Sequence, residues 1–217
     1  MARPVVLTKT LAADDADLLA ASQTPVSGTA LTLTGAALDT SRRILLTYGN
    51  EGSARTLLLT GKNGSGAPIT ETLAIPSGGS GTVASLQDFA TLTSAMPGGG
   101  GWTAAATLGT NTVGSTPWVV LNAHITPFDV SAELEFAGTA NATVEVTNDS
   151  PLMPIPIYQP GYSQAVPVPT PFAWAGLTSV AAAAQGNINI PVAAARLTVN
   201  SGTDAVQLTL TQAGIRN

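Results

Sequence analysis

The chain has 217 residues, 44% of them apolar, which is enough for one large domain or two small ones with separate cores. Only 10% of its residues are charged and the net charge is -5, against roughly 25% charged residues in an ordinary soluble domain; eight unclustered Lys and Arg are too few for a nucleic-acid binder, which must neutralise a run of phosphates. The absence of cysteine excludes disulfides, thiol nucleophiles and thiolate metal sites, and a single histidine, His124, excludes sites built from several imidazoles.

The N-terminal stretch, residues 1–27, reads as an extended arm. It reaches Asp14, Asp15 and Asp17 without the continuous apolar run of an export signal, so synthesis in a host cytoplasm is expected. Within it, residues 11–21 have an acidic start and later leucines, which suits two or three helical turns. Period-two patterning then dominates: residues 29–34, 44–48, 56–60, 69–75 and 89–93 alternate or cluster apolar side chains with threonine. Glycine- and asparagine-rich turns at 49–52, 62–66 and 77–81 separate them, as antiparallel hairpins require. A second strand set follows at 118–121, 131–136, 142–147, 195–200 and 205–211, in which Glu133, Glu135 and Glu145 alternate with apolar residues, the pattern of strands with one wet face. The fold expected is all-β: two tandem antiparallel β-sandwich or barrel domains, at 28–116 and 117–217, behind the N-terminal arm. The soft boundary falls in the Gly-Ser-Thr-Pro segment at 114–117.

Two long stretches contain no charged residue, one between Asp88 and Asp129 and one between Asp149 and Arg196. Glycine, proline, threonine and asparagine interrupt both, so neither supplies a membrane-spanning helix and no membrane partner is expected. The second includes a loop at 151–171 that holds seven of the chain's 15 prolines. Proline removes backbone donors and favours extended structure. Here it is interleaved with apolar side chains, which favours packing on a surface; Pro154, Ile155, Pro156, Ile157, Tyr158, Tyr162, Val166 and Val168 are the candidate interface residues.

No catalytic constellation stands out. The GGGWTA run at 99–104 formally satisfies a dinucleotide-binding fingerprint but lacks its strand-to-helix context and following acidic residue, and reads as a tight loop. Gly61-Lys62-Asn63 lacks the rest of a phosphate loop and reads as a hairpin turn. His124 and Asp129 lie five residues apart with no serine elbow near them, so serine catalysis is not expected. Glu133, Glu135 and Glu145 are formally available for paired-carboxylate chemistry, but a solvated strand face explains them. Asp14, Asp15 and Asp17 do not fit a calcium loop. Trp102, Trp118 and Trp174 fit core anchors, or alternatively stacking platforms for sugars. The sequons at Asn63, Asn141 and Asn148 mark turns. No cofactor, metal or enzymatic activity is expected.

The runs RRILLTYGNEG at 42–52, TLLLTGKNGSGAPITET at 56–72 and FATLTS at 89–94 together resemble a segment of tailed-bacteriophage virion structural proteins, in which a strand ending in a Gly/Asn turn precedes a TGxxxxGxxxTET hairpin. ATVEVTND at 142–149, PVAAARLTVNSGT at 191–203 and VQLTLTQAG at 206–214 are similar to the C-terminal part of the same proteins. The resemblance implies a phage particle component without catalytic residues, most like a capsid decoration or cement protein on the capsid exterior. It would be a homo-oligomer, a trimer, in contact with the major capsid protein. A neck, tail or fibre component, or a carbohydrate-binding adhesion module, is the alternative.

Overall fold

A computed structural model of the chain describes residues 4–124, 126–149 and 169–212. The sixteen strands among them, in chain order, are β1 (Val5–Lys9), β2 (Ala20–Gln23), β3 (Arg42–Glu51), β4 (Arg55–Lys62), β5 (Pro68–Ile75), β6 (Gly79–Phe89), β7 (Thr91–Gly98), β8 (Ala106–Thr110), β9 (Gly114–Ser115), β10 (Val119–Val120), β11 (Val130–Phe136), β12 (Ala140–Thr147), β13 (Phe172–Ala173), β14 (Ala184–Ile188), β15 (Ala194–Gly202) and β16 (Val206–Gln212). The described residues contain no helix, and the strand neighbours named below pair antiparallel. The chain divides into two compact units, one of residues 10–115 and one of residues 1–9 with 116–217.

In the unit of residues 10–115, a sheet of order β2-β8-β3-β6 accompanies a sheet of order β5-β4-β7. Their inward positions alternate as period two demands: Ile44, Leu46 and Tyr48 on β3, Leu57 and Leu59 on β4, and Leu73 and Ile75 on β5 are buried together around Phe89. Two devices tie the edges of these sheets together at particular points. On one side the Glu71 carboxylate of β5 accepts hydrogen bonds from the backbone N–H groups of Leu86 (2.6 Å) and Gln87 (2.9 Å) on β6. On the other, Gly28 and Leu31 donate backbone hydrogen bonds to Pro97 and Ala95 of β7, while Thr34 and Leu19 join the same crossing segment to itself and to β8. Buried Ser85 marks a bulge in β6: its hydroxyl accepts from the N–H of Ile44 (2.9 Å) and donates to the carbonyl of Gln87 (2.8 Å), replacing a lost ladder bond.

The extended arm expected at 1–27 is not what residues 4–27 form. β1 is a strand of the other unit, paired with β16, and residues 10–27 are built into the first unit, with Leu11, Leu19 and Ala20 fully or nearly fully buried. The helix expected over 11–21 is absent. Asp15 instead exchanges backbone bonding with β8, its carbonyl accepting from the N–H of Thr110 and its own N–H donating to the Thr110 hydroxyl. A helix this short is marginal without an apolar face to bury, and here the leucines gain more by lying along the sheet. Residues 29–34, expected as a strand, form none: Leu31 donates to the carbonyl of Ala95 on β7, the Gln23 side chain of β2 bonds both backbone groups of Thr32, and Thr34 donates to Leu19.

The second unit holds a sheet of order β1-β16-β11-β14 and one in which β10, β15, β12 and β13 are successive neighbours. Val130, Ala132 and Leu134 of β11, Val144 and Val146 of β12, Leu197 and Val199 of β15, and Leu208 and Leu210 of β16 supply its buried apolar positions. The far edge of β12 is covered by the chain that follows β13: Trp174 donates to Val144, Val144 to Leu177, and Ala142 and Val180 exchange bonds. Glu133 and Glu135 alternate with buried Ala132 and Leu134, the wet-face pattern that the sequence suggested. The candidate interface residues Pro154, Ile155, Pro156, Ile157, Tyr158, Tyr162, Val166 and Val168 lie outside the described residues. The ends that flank them meet, because the N–H of Thr170 donates to the Asp149 carboxylate at 2.8 Å and β13 pairs with the end of β12.

Candidate functional site

The sequence nominated His124, three glutamates, three tryptophans and a glycine-rich loop, and the structure scatters them. His124 is exposed, and its backbone N–H donates to the side chain of Asn122 (3.1 Å) in an Asx turn. Glu133 accepts a hydrogen bond from Gln185 (2.7 Å) and Glu135 one from Gln207 (3.0 Å). Each glutamine is the residue directly opposite on the neighbouring strand, so both pairs are cross-strand contacts that fix register.

Glu145 carries the densest polar cluster of the second unit. Its Oε2 accepts from Nε of Arg196 (2.7 Å) and from the Thr198 hydroxyl (2.8 Å), and the Arg196 guanidinium lies over the Trp118 ring at 4.5 Å from its centroid. The pair is largely withdrawn from solvent, the side chains of Arg196 and Glu145 being 13% and 14% exposed. A cation over an indole and a carboxylate behind it make a rigid, charge-neutral clamp between β12 and β15. That arrangement covers one face of Trp118. Trp102 is buried, and Trp174 is half-buried beside the turn that ends at Leu177.

The most completely enclosed ion was not singled out in the sequence. Glu51, at the end of β3, has no exposed surface. Its carboxylate accepts from the N–H of Thr103 (3.1 Å to each oxygen), the N–H of Ala104 (3.0 Å), the Thr103 hydroxyl (3.2 Å) and Nε of Arg55 (3.3 Å). Arg55 in turn donates from Nη1 to the carbonyl of Gly99 (2.6 Å). Burial pushes the Glu51 carboxyl up, but the donors of Ala104, Thr103 and Arg55 outweigh it, and the group is held below the ordinary glutamate value. The GGGWTA run is thereby explained as the turn from β7 to β8, folded around an ion pair. Gly99 and Gly100 take φ of 81° and 95°, and a Cβ at Gly99 would stand 3.1 Å from the Arg55 backbone. Glycine there serves the turn.

A second buried cluster involves Arg42, 1% exposed. Its Nε donates to the carbonyl of Asn111 (2.9 Å) and its Nη1 to Asp39 (3.1 Å), while the other Asp39 oxygen accepts from the N–H of Ala12 (2.7 Å). Desolvation raises the Asp39 pKa, but the bonds from Ala12 and Arg42 prevail and hold it below the ordinary range. Nothing in the sequence marks Glu51 or Arg42 as buried: each sits beside polar turn residues, and only the three-dimensional closure of the loops around them withdraws them from water.

Among the described residues, no group of three or more His, Cys, Asp or Glu side chains is gathered closely enough to hold a metal ion. No protein-family model matches the chain, and no curated protein is significantly similar to it. What the polar clusters can do chemically is hold strands and turns in place. Glu51 and Arg42 are each held by several hydrogen bonds, and Glu133, Glu135 and Glu145 are tied to glutamine or arginine.

Proposed function

We propose that the chain is a structural component of a tailed-phage particle, a homotrimer that decorates and stabilises the capsid lattice from outside through contacts with the major capsid protein. The observation that supports the reading best is the outward face of the β5-β4-β7 sheet. Leu58 lies opposite Met96 and Thr72, and Thr60 opposite Ser94, so the centre of a three-stranded face is neutral in a protein of net charge -5. Leu58 is 41% exposed. A face of threonine, serine and apolar side chains can be buried against a neighbour without stripping water from ions, a cost of several kcal/mol per unpaired charge. The resemblance of the β3, β4 and β5 sequences to virion proteins adds the kind of assembly. The action is mechanical: each contact contributes modestly and is repeated across the lattice, resisting outward pressure from packaged DNA.

The expected result of quantitative mass spectrometry on purified particles is a copy number comparable to that of the major capsid protein. A count of a few dozen or fewer per particle would reject lattice decoration and favour a neck, tail or fibre position.

A further inference from the structure

We infer that the β1-β16-β11-β14 sheet continues from one copy of this chain into the next, the open edge of β14 adding to the open edge of β1 of a second copy. Among the described residues, β14 has a strand neighbour only in β11 and β1 only in β16. No backbone hydrogen bond from another described segment reaches Val5–Thr8 or Ala184–Ile188. An edge of this kind presents a row of unpaired N–H and C=O groups, and the occupant those groups call for is another extended backbone.

Natural sheets protect such edges with lysine, proline, bulges or inward charges. In the unit of residues 10–115 the Glu71 carboxylate bridges β5 to β6 and a crossing segment bonds to β7. The β14 edge has no such device: its sequence is Ala-Gln-Gly-Asn-Ile, it lies in the stretch between Asp149 and Arg196 that contains no charge, and Ile190 just beyond it is 55% exposed. On β1, Val5 and Val6 are 40% and 53% exposed.

Two features select a second copy as the occupant. The first is direction. With successive antiparallel neighbours across four strands, β14 runs antiparallel to β1, so head-to-tail addition continues the sheet in its existing mode and satisfies both edges with one kind of contact. Pairing β14 with β14 of a two-fold mate would leave every β1 edge open. The second is charge. The solvent-facing residues at the joint, Thr8 and Val6 on one side and Gln185 and Asn187 on the other, are neutral, while Glu133 and Glu135 stand one strand back from it on β11. Two acidic copies can meet there without opposing like charges. A head-to-tail contact is heterologous, and it forms a ring when the rotation from copy to copy closes. The edge contact stands independently of the capsid reading; only the ring size of three rests on it.

The chain has no cysteine, so introduced thiols report on this contact alone. The test uses full-length protein carrying Val6→Cys, Asn187→Cys, or both, treated with a bismaleimide that spans about 8 Å. Within one chain the two positions are separated by three strand spacings, about 14 Å, beyond that reach. The double variant should link into dimers and closed trimers, while each single variant stays at the mass of one chain on a denaturing gel. Gln185→Cys with Val6→Cys should do the same if the register is offset by two residues. Linked dimers from Asn187→Cys alone would overturn the inference in favour of two-fold pairing, and so would a wild-type mass of one chain by light scattering at micromolar concentration. Linkage into a closed ring of another size would uphold the edge contact and reject the three-fold assembly.

Discussion

Glu51→Ala is expected to unfold the unit of residues 10–115 at a temperature well below wild type. The substitution leaves the N–H groups of Thr103 and Ala104 facing an empty site and the Arg55 guanidinium without its carboxylate. Removing one member of a buried pair costs about 3–5 kcal/mol, because the partner stays desolvated. For a domain of this size that corresponds to a fall in Tm of about 12 °C or more. Glu51→Gln should fall between the two, since one amide oxygen can still accept while the NH2 group faces donors. The pH dependence has a definite sign. The folded-state carboxyl lies below the ordinary value of 4.5, so its contribution is fully present above that pH and is lost as pH falls through the lower, folded value. Wild type should therefore lose stability below about pH 4.5, and Glu51→Gln should lose less across the same interval; Asp39, shifted in the same direction, remains in both and accounts for the residual slope. Thermal melts at pH 7, 4 and 3 measure both. Equal slopes would show that the Glu51 carboxylate contributes nothing to acid sensitivity.

This residue also shows where sequence patterning loses its grip. β4, β5, β11, β12, β15 and β16 lie close to where alternation of threonine with leucine, isoleucine and valine put them, because a two-residue period and glycine or asparagine turns are local signals. The run at 77–81, in contrast, reads as a turn from its glycines, yet Gly79–Gly81 opens β6, with Gly81 against the Tyr48 hydroxyl, where a Cβ would stand only 3.0 Å away. Residues 89–93, read as one strand, straddle the corner between β6 and β7, where Ala90 donates to the carbonyl of Lys62. β8 went unread because Ala-Thr-Leu-Gly-Thr alternates weakly; it is a strand because β2 and β3 flank it. As for the polar sites, the reading of the glycine-rich run as a tight loop follows from the absence of a strand-to-helix context. The ion pair it wraps involves residues some 50 positions away, and no local pattern encodes that.

Removal of residues 1–27 is expected to leave a chain that does not fold cooperatively, the outcome that separates an integral segment from a free arm. The deletion takes away β1, the partner of β16, and Leu11, Leu19 and Ala20, which are 1%, 4% and 0% exposed. Losing a buried leucine side chain costs about 2–5 kcal/mol, and two of them, with the backbone bonds of Leu19 and Asp15, approach the whole stability of a domain, about 5–15 kcal/mol. It also uncovers the β8 edge, making aggregation the expected fate. A point variant tests the same packing without truncation. Gly109 on β8 faces this segment so closely that a Cβ would lie 1.9 Å from the carbonyl oxygen of Asp15 and 2.4 Å from the carbonyl carbon of Ala16. Neither atom belongs to a flexible side chain, so Gly109→Ala must push residues 14–17 off the sheet and break the Asp15–Thr110 exchange. Hydrogen exchange of the Thr110 amide, slow in wild type, should become fast in Gly109→Ala, with a lowered Tm. A truncated chain that melts cooperatively at the wild-type temperature, or a Gly109→Ala protein with wild-type exchange at Thr110, would mean that residues 10–27 are an appendage after all.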